Sequence, residues 1–178
     1  MPKARAARSR QRSGPSSIAA LLPALALMLL AAGSAPALAA PPATPAQAGQ
    51  PQTGLAIVPL SITTADGRSH SYRVEIARTP GQQAHGMMFR TEVPAATGML
   101  FPFEAPRTAS FWMENTLVPL DLLFIGADGR VRNIAANAQP KSQALLNSVG
   151  PVAAVLELAG GEAERIGARP GDRIRWGK

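Results

Sequence analysis

The tetrapeptide Ala-Asp-Gly-Arg occurs twice in this chain, at 65–68 and at 127–130, each time between two apolar segments. Asp-Gly is the strongest short signal for a β-hairpin, because a type I′ turn requires positive φ at both central residues. After the first copy, Tyr72, Val74 and Ile76 alternate with polar residues, which is the pattern of a strand with one buried face. Two such hairpins predict a mainly antiparallel β fold.

The remaining segments add further strands and two short helices. Thr79 followed by Pro80 predicts a helix start, since threonine is a good N-cap and proline is tolerated in the first helical turn. A second short helix is predicted near the C-terminus, and Pro106 separates two predicted strands. We therefore predict a small antiparallel β-barrel or sandwich of about seven strands with one or two short helices. The further strands are expected at 97–103, 110–115, 151–159 and 171–176.

The first 39 residues have the layout of a secretory signal peptide. A basic start precedes an apolar run from Ile18 to Ala32, and Ala37-Leu38-Ala39 fits the small-residue cleavage site. The apolar run is about 15 residues long, short of the roughly 20 that span a bilayer. We expect a signal peptide at 1–39, a disordered linker rich in Pro, Ala and Gln at 40–54, and a single β-rich domain at 55–178. The protein is thus expected to be exported, to the periplasm or beyond, and to contact a membrane only through an uncleaved leader.

The charge of the chain does not indicate nucleic-acid binding. The net charge is +7, but five of the 18 basic residues lie in the predicted leader, which leaves 13 against 11 acidic residues. Those 13 form no basic run, so no nucleic-acid partner is predicted. The absence of cysteine excludes disulfides, thiolate nucleophiles and zinc–cysteine sites.

A series of motifs in fixed order resembles the uncharacterised prokaryotic domain-of-unknown-function family 192 (DUF 192). The most specific part is F-W-M-E-N-T at 111–116, followed by P-L-D at 119–121. The resemblance covers 57–176 and implies a compact, mostly β domain, often exported, with no established activity. Glu114 stands where that family usually has a lysine, and His85 stands where an arginine is common. The other motifs are H-G-M-M-F-R (85–90), G-M-L-F-P-F (98–103), A-D-G-R-V (127–131), V-L-E-L (155–158) and G-D-R-I (171–174).

The apolar segment 111–124 carries polar residues that allow two interpretations. In a strand over 111–115, Met113 and Asn115 would face one way and Trp112 the other. In the structural interpretation, Asn115 and Asp121 accept backbone N–H bonds and tie the intervening turn. In the functional interpretation, a few polar groups converge at the mouth of an apolar pocket. The predicted ligand-binding residues are Arg90, Met99, Trp112, Glu114, Asn115, Asp121 and Glu157.

A cluster of methionines beside a histidine allows a metal interpretation. Thioethers with an imidazole are a Cu(I)-type ligand set. Methionine is also the ordinary gap-filler of irregular cores, so no metal is assigned. The residues that would form such a site are His85, Met87, Met88, Met99 and Met113.

The common enzyme signatures are missing from the sequence, which has no H-E-x-x-H, G-x-S-x-G, P-loop or G-x-G-x-x-G motif. Paired carboxylates drawn from Glu114, Asp121 and Glu157 could still support acid–base hydrolysis. The sequence therefore predicts an exported binding module for a small ligand or an envelope protein, with no resident cofactor. A carboxylate hydrolase of the envelope and a methionine-based copper(I) site are the alternatives, and whether the protein is an enzyme stays open.

Overall fold

The structure is a computed structural model that describes residues 49–177. This part of the chain forms nine strands, two of them only two residues long, and two short helices. In chain order these are β1 (Ile57–Thr63), β2 (Ser69–Ile76), α1 (Pro80–His85), β3 (Thr97–Arg107), β4 (Ser110–Phe111), β5 (Leu120–Ile125), β6 (Val131–Ala138), β7 (Leu146–Asn147), β8 (Val152–Ala159), α2 (Glu162–Ile166) and β9 (Arg173–Trp176).

Seven strands form one sheet in the order β6-β5-β8-β3-β2-β1-β9, and β4 pairs with β7 separately. Within the main sheet only β2 and β3 are parallel, and the other neighbours are antiparallel. The two edges of the sheet touch at an isolated bridge between Arg130 and Arg173, without a continuous ladder. The predicted mainly β fold with about seven strands and two short helices is confirmed.

The two Ala-Asp-Gly-Arg segments do connect antiparallel strands, but the predicted type I′ geometry is wrong. In the first turn only Gly67 has positive φ, at 82°, and its N–H donates to the carbonyl of Thr64 at 2.9 Å. Strand pairing resumes between Thr63 and Ser69, which gives a type I turn followed by a left-handed glycine. The second turn repeats this arrangement with Gly129. Each turn therefore needs only one residue with positive φ, and the glycine that follows Asp supplies it.

The main sheet has an apolar core on each face. We call the larger one the first core; it includes Leu100, Leu123 and Leu156 and is completed by residues of α2. The second core includes Met99, Leu122, Phe101, Phe124 and Val155, the strand neighbours that point the other way. Strand β5 is therefore buried at every position. The second core supports the cleft described below.

Two predicted strand boundaries are wrong. The strand expected over 110–115 ends at Phe111, because Asn115 has a φ of 55° and closes a turn in which Thr116 donates to the carbonyl of Met113. Asn115 is consequently exposed whereas Met113 is buried, so the two do not share a face. Pro106 does not end β3, which runs on to Arg107 with an irregularity in its pairing to β8.

The predicted leader, 1–39, and the linker up to residue 48 lie outside the described residues. The last part of the expected linker is described, and Gln52 there donates to the carbonyls of Gln82 and Gly86 at 3.1 and 2.7 Å. This segment thus contacts α1 and the loop that follows it. Within 49–177, neither helix has the length and apolar character needed to cross a bilayer.

Candidate functional site

A cleft of about 330 Å³ lies between α1, the middle of β3 and the start of the β4 loop. Helix α1 is placed by a capping box, in which Thr79 and Gln82 exchange side-chain to backbone hydrogen bonds. Gln83 then fixes the helix to the sheet by donating to the carbonyls of Ala77 and Pro102. The lining residues are Pro80, Gln83, Ala84, His85, Gly86, Met88, Phe101, Phe103, Arg107, Ser110, Phe111, Trp112, Thr116 and Glu157.

Glu157 is the buried carboxyl group of this cleft. It is paired in the sheet with Met99 on one side and Leu122 on the other, so both strand neighbours on its face are apolar. The residue is only 5% exposed, and its Oε2 atom has no hydrogen-bond partner. Burial raises the pKa of Glu157 to about 8, although the nearby Arg90 partly opposes this shift. At neutral pH the group is therefore mainly a protonated carboxylic acid.

His85 provides the second unpartnered polar group. It is the last residue of α1, and its ring packs edge-on against Phe89 with centroids 5.8 Å apart. Its Nε2 atom is buried without a hydrogen-bond partner. Within 49–177 only four buried side-chain polar atoms lack a partner, and the two on His85 and Glu157 belong to the lining of this cleft. Unpaired buried groups are uncommon in folded proteins, so two in one cleft indicate a site.

Aromatic rings form the apolar wall of the cleft. Phe101 and Phe111 meet edge to face with centroids 5.2 Å apart. The guanidinium of Arg107 lies 4.0 Å from the ring centroid of Phe103, a cation–π arrangement. Trp112 is 48% exposed although it is a large apolar side chain. The wall therefore offers flat apolar surface that is open to solvent at one end.

Strained backbone borders the cleft. Phe89, Asn115 and Lys141 are non-glycine residues with φ of 63°, 55° and 60°. Phe89 N–H donates to the Asn115 carbonyl, and Lys141 N–H donates to the carbonyl of the next residue, Thr116. Left-handed non-glycine residues cost free energy and are frequent at functional sites. Three of the five in the described residues converge on this one turn.

Of the seven predicted ligand-binding residues, Trp112 and Glu157 line the cleft. Met99 lies beneath it in the second core. Arg90 is outside the lining and forms an ion pair with Glu75 at 2.6 Å. Glu114 and Asn115 belong to the strained turn beside the cleft without lining it.

Asp121 lies on the other face of the sheet from Glu157. Its strand partner Leu158 is part of the first core, whereas Glu157 is paired with Leu122 of the second core. Both oxygens of Asp121 accept backbone N–H bonds, from Asn137, Gly161 and Ala163 at 2.6, 3.1 and 2.7 Å. Asp121 thus accepts backbone N–H bonds, as the structural interpretation predicted, but these bonds hold β6 and the start of α2. It does not tie the 115–121 turn, and it is not brought together with Glu157 as a carboxylate pair.

The methionines of the copper hypothesis are mostly core residues. Met87, Met99 and Met113 are at most 2% exposed and belong to the second core. Met88 lines the cleft and accepts a weak hydrogen bond from Asn115 at 3.9 Å. Within 49–177, no three His, Cys, Asp or Glu side chains gather as a metal site would require. Their packing fits the gap-filling use of methionine.

Sequence reasoning missed Phe103 and Arg107 as site residues and considered His85 only as a metal ligand. A usable signal existed for Phe103, since it closes the apolar run 98–103. Arg107 was hidden because Pro106 was interpreted as the end of a strand. His85 lines the cleft because α1 ends there against the sheet, and this packing could not be predicted from the sequence.

Comparison with known proteins assigns the chain to an uncharacterised family. The profile described as "Uncharacterized ACR, COG1430" matches residues 61–176, and the chain belongs to this family, DUF192. The predicted family membership is therefore confirmed. None of the curated proteins matches the chain.

Solved structures share the fold at high identity. One, from Sinorhizobium meliloti 1021, is described as a "putative transcription regulator"; it is 43% identical, with a TM-score of 0.68, over 70% of this chain and 97% of that one. Another, a protein of unknown function from Novosphingobium aromaticivorans DSM 12444, is 47% identical, with a TM-score of 0.67, over 78% of this chain and 94% of that one. The family and these structures agree on the fold but do not indicate a function.

Proposed function

We propose that this protein is an exported binding protein that holds a small molecule in the cleft between α1 and β3. The observation that carries this proposal is that two buried polar atoms without hydrogen-bond partners belong to the lining of one aromatic cleft. They are Oε2 of Glu157 and Nε2 of His85. Small-molecule sites generally combine an apolar wall with a few convergent polar groups.

The energetics favour a ligand over empty packing. Each buried polar group without a partner costs about 1–3 kcal/mol. The left-handed residues Phe89, Asn115 and Lys141 add further strain at the rim. A ligand that hydrogen-bonds to Glu157 and His85 would recover part of this cost, and rings such as that of Trp112 would supply apolar contact.

Native mass spectrometry of the freshly purified protein, compared with the same sample denatured, tests the proposal. We expect extra mass in the native sample only. Trp112→Ala should reduce it, whereas Leu145→Ala is a matched control, because Leu145 is 62% exposed but does not line the cleft. Equal loss of bound mass in both variants, with intact folds, would contradict a site in this cleft. The mass of the N-terminus tests export in the same experiment, since cleavage after Ala39 is expected.

A second proposal is hydrolysis of an envelope polymer, and it is favoured by the location of Glu157 and His85 in one cleft. An acid with a pKa near the working pH is suited to proton transfer, and a histidine can serve as its partner. Release of dye from labelled peptidoglycan is the assay. Turnover that disappears in Glu157→Gln and in His85→Gln, with the fold intact, would establish the enzyme; no turnover by the native protein would exclude this reaction and leave the binding proposal.

A further inference from the structure

We infer that the ligand of this cleft is a small molecule with an apolar, preferably aromatic, body and a single carboxylate. This inference rests on the proposed binding function and specifies the chemistry that the cleft recognises. It follows from the charges that line the cleft and from the hydrogen-bonding capacity left unused there.

The charges of the lining are unbalanced. Its ionisable residues are His85, Arg107 and Glu157. Arg107 takes part in none of the ion pairs of the described residues, yet its guanidinium is held against the ring of Phe103 at 4.0 Å. Stacking of this kind orients the planar donor fork and leaves its N–H groups available to a carboxylate.

Glu157 does not neutralise Arg107 at neutral pH. Its strand neighbours Met99 and Leu122 are apolar, and burial raises the pKa of its carboxyl group to about 8. Arg90, whose charge partly opposes this shift in the pKa of Glu157, is itself paired with Glu75 at 2.6 Å. A protonated Glu157 is a hydrogen-bond donor, and a ligand carboxylate is the acceptor that suits it.

Other ligand classes fit these charges less well. A cationic amine would be repelled by Arg107 and would need Glu157 to ionise. A phosphate dianion would bring two negative charges to one free arginine and leave one of them poorly compensated. The apolar body is indicated by the rings of Phe101, Phe103, Phe111 and Trp112, and the cleft volume of about 330 Å³ limits the molecule to a small one.

Three probes of equal length test the inference: 3-phenylpropanoate, 3-phenylpropanamide and 3-phenylpropylamine. Binding to the full protein is followed by chemical-shift changes in amide NMR spectra at about pH 7, up to about 10 mM probe, since small ligands bind weakly. We expect the carboxylate to bind at least about tenfold more tightly than the amide, the size of one charge-assisted hydrogen bond. The amine should bind least.

Variants separate the two contacts. Arg107→Gln should weaken the carboxylate about tenfold and the amide little, whereas Arg78→Gln is the control, because Arg78 is exposed and lies outside the cleft lining. Raising the pH to about 9.5 should weaken binding of the carboxylate to the unsubstituted protein, since ionised Glu157 has lost its donor proton and repels the ligand. At this pH binding is followed by line broadening of the C–H signals of the probe, because amide protons exchange too fast to be observed. Glu157→Gln keeps a hydrogen-bond donor that cannot ionise, so in this variant binding of the carboxylate should no longer weaken as the pH rises. His85 and Arg107 are unchanged in the variant, so they cannot account for the difference.

Several results would overturn the inference. Tightest binding of the amine or the amide would show that the charge argument is wrong while leaving a small-molecule site in place. Equal effects of Arg107→Gln and Arg78→Gln would show that Arg107 does not contact the ligand. Absence of shifts with all three probes would also count against the carboxylate ligand. The native mass measurement with Trp112→Ala decides separately whether the cleft binds anything.

Discussion

Replacing Glu157 with Gln should change how the stability of this domain depends on pH. In the folded protein burial raises the pKa of Glu157 to about 8, whereas its ordinary value is 4.5. Between these two pH values the folded state keeps a proton that the unfolded chain has lost. Because the folded state binds more protons there, the free energy of unfolding must fall as the pH rises.

The magnitude follows from the two pKa values. One pKa unit corresponds to 1.36 kcal/mol, so the whole transition is worth about 5 kcal/mol. Between about pH 5 and pH 8.5 the expected loss is about 4 kcal/mol, a large fraction of the stability of a small domain. Glutamine has a similar shape and no ionisable proton, so Glu157→Gln should remove this part of the pH dependence.

The assay is urea unfolding of both proteins across this pH range, followed by tryptophan fluorescence. We expect the two proteins to differ by no more than about 1 kcal/mol near pH 5, where Glu157 is neutral. Above pH 8 the variant should be more stable, by several kcal/mol. Comparing the two proteins cancels the contributions of every other titrating group. If both proteins lose stability in parallel, Glu157 ionises at an ordinary pKa, and the argument for a protonated acid in the cleft fails.

Three further predictions concern contacts within the fold. Asp121→Ala leaves three backbone N–H groups without their acceptor and should cost about 3 kcal/mol or more in urea unfolding; a cost below about 1 kcal/mol would contradict its structural role. Gly98→Ala places a methyl group against the carbonyl oxygen of Glu157 and the side chain of Leu158, and should lower the free energy of unfolding by about 3 kcal/mol; an unchanged melting temperature would show that β3 and β8 can separate. Gln52→Ala removes two hydrogen bonds to α1 and its following loop, and should speed amide hydrogen exchange in residues 49–54; unchanged exchange would show that other contacts hold this segment.

The elements of the fold were predictable where local chemistry determines them. Both Asp-Gly hairpins, the helix start at Thr79 and the closing strand β9 are where the sequence indicates. The turn type was not predictable, because it depends on which residues of the two strands pair beside the turn. Here these residues are Thr63 and Ser69. The parallel pairing of β2 with β3 escapes sequence reasoning for the same reason.

The faces of the central strands could not be assigned from the sequence. Leu120–Ile125 is buried at every position, so it carries no period-2 pattern from which to tell one face from the other. Asp121 and Glu157 therefore looked like possible partners, although the register places them on opposite faces. The first is satisfied by three backbone N–H groups, and the second has an oxygen with no partner.

Glu157 also shows how far the sequence can lead toward the site. A single acid inside the apolar run V-A-A-V-L-E-L-A must be buried when that run forms a central strand, so its unusual environment is readable from the sequence. Whether a cation neutralises it is not readable, because the nearby Arg90 is bound instead to Glu75, which lies on a strand far from Glu157 in the chain. Burial raises the pKa of Glu157 to about 8 and Arg90 lowers it only in part, so the group is mainly protonated at neutral pH. Arg107 is then the arginine of the cleft lining. Under the proposed binding function, the ion pair between Arg90 and Glu75 therefore influences the choice of ligand although it lies outside the cleft lining.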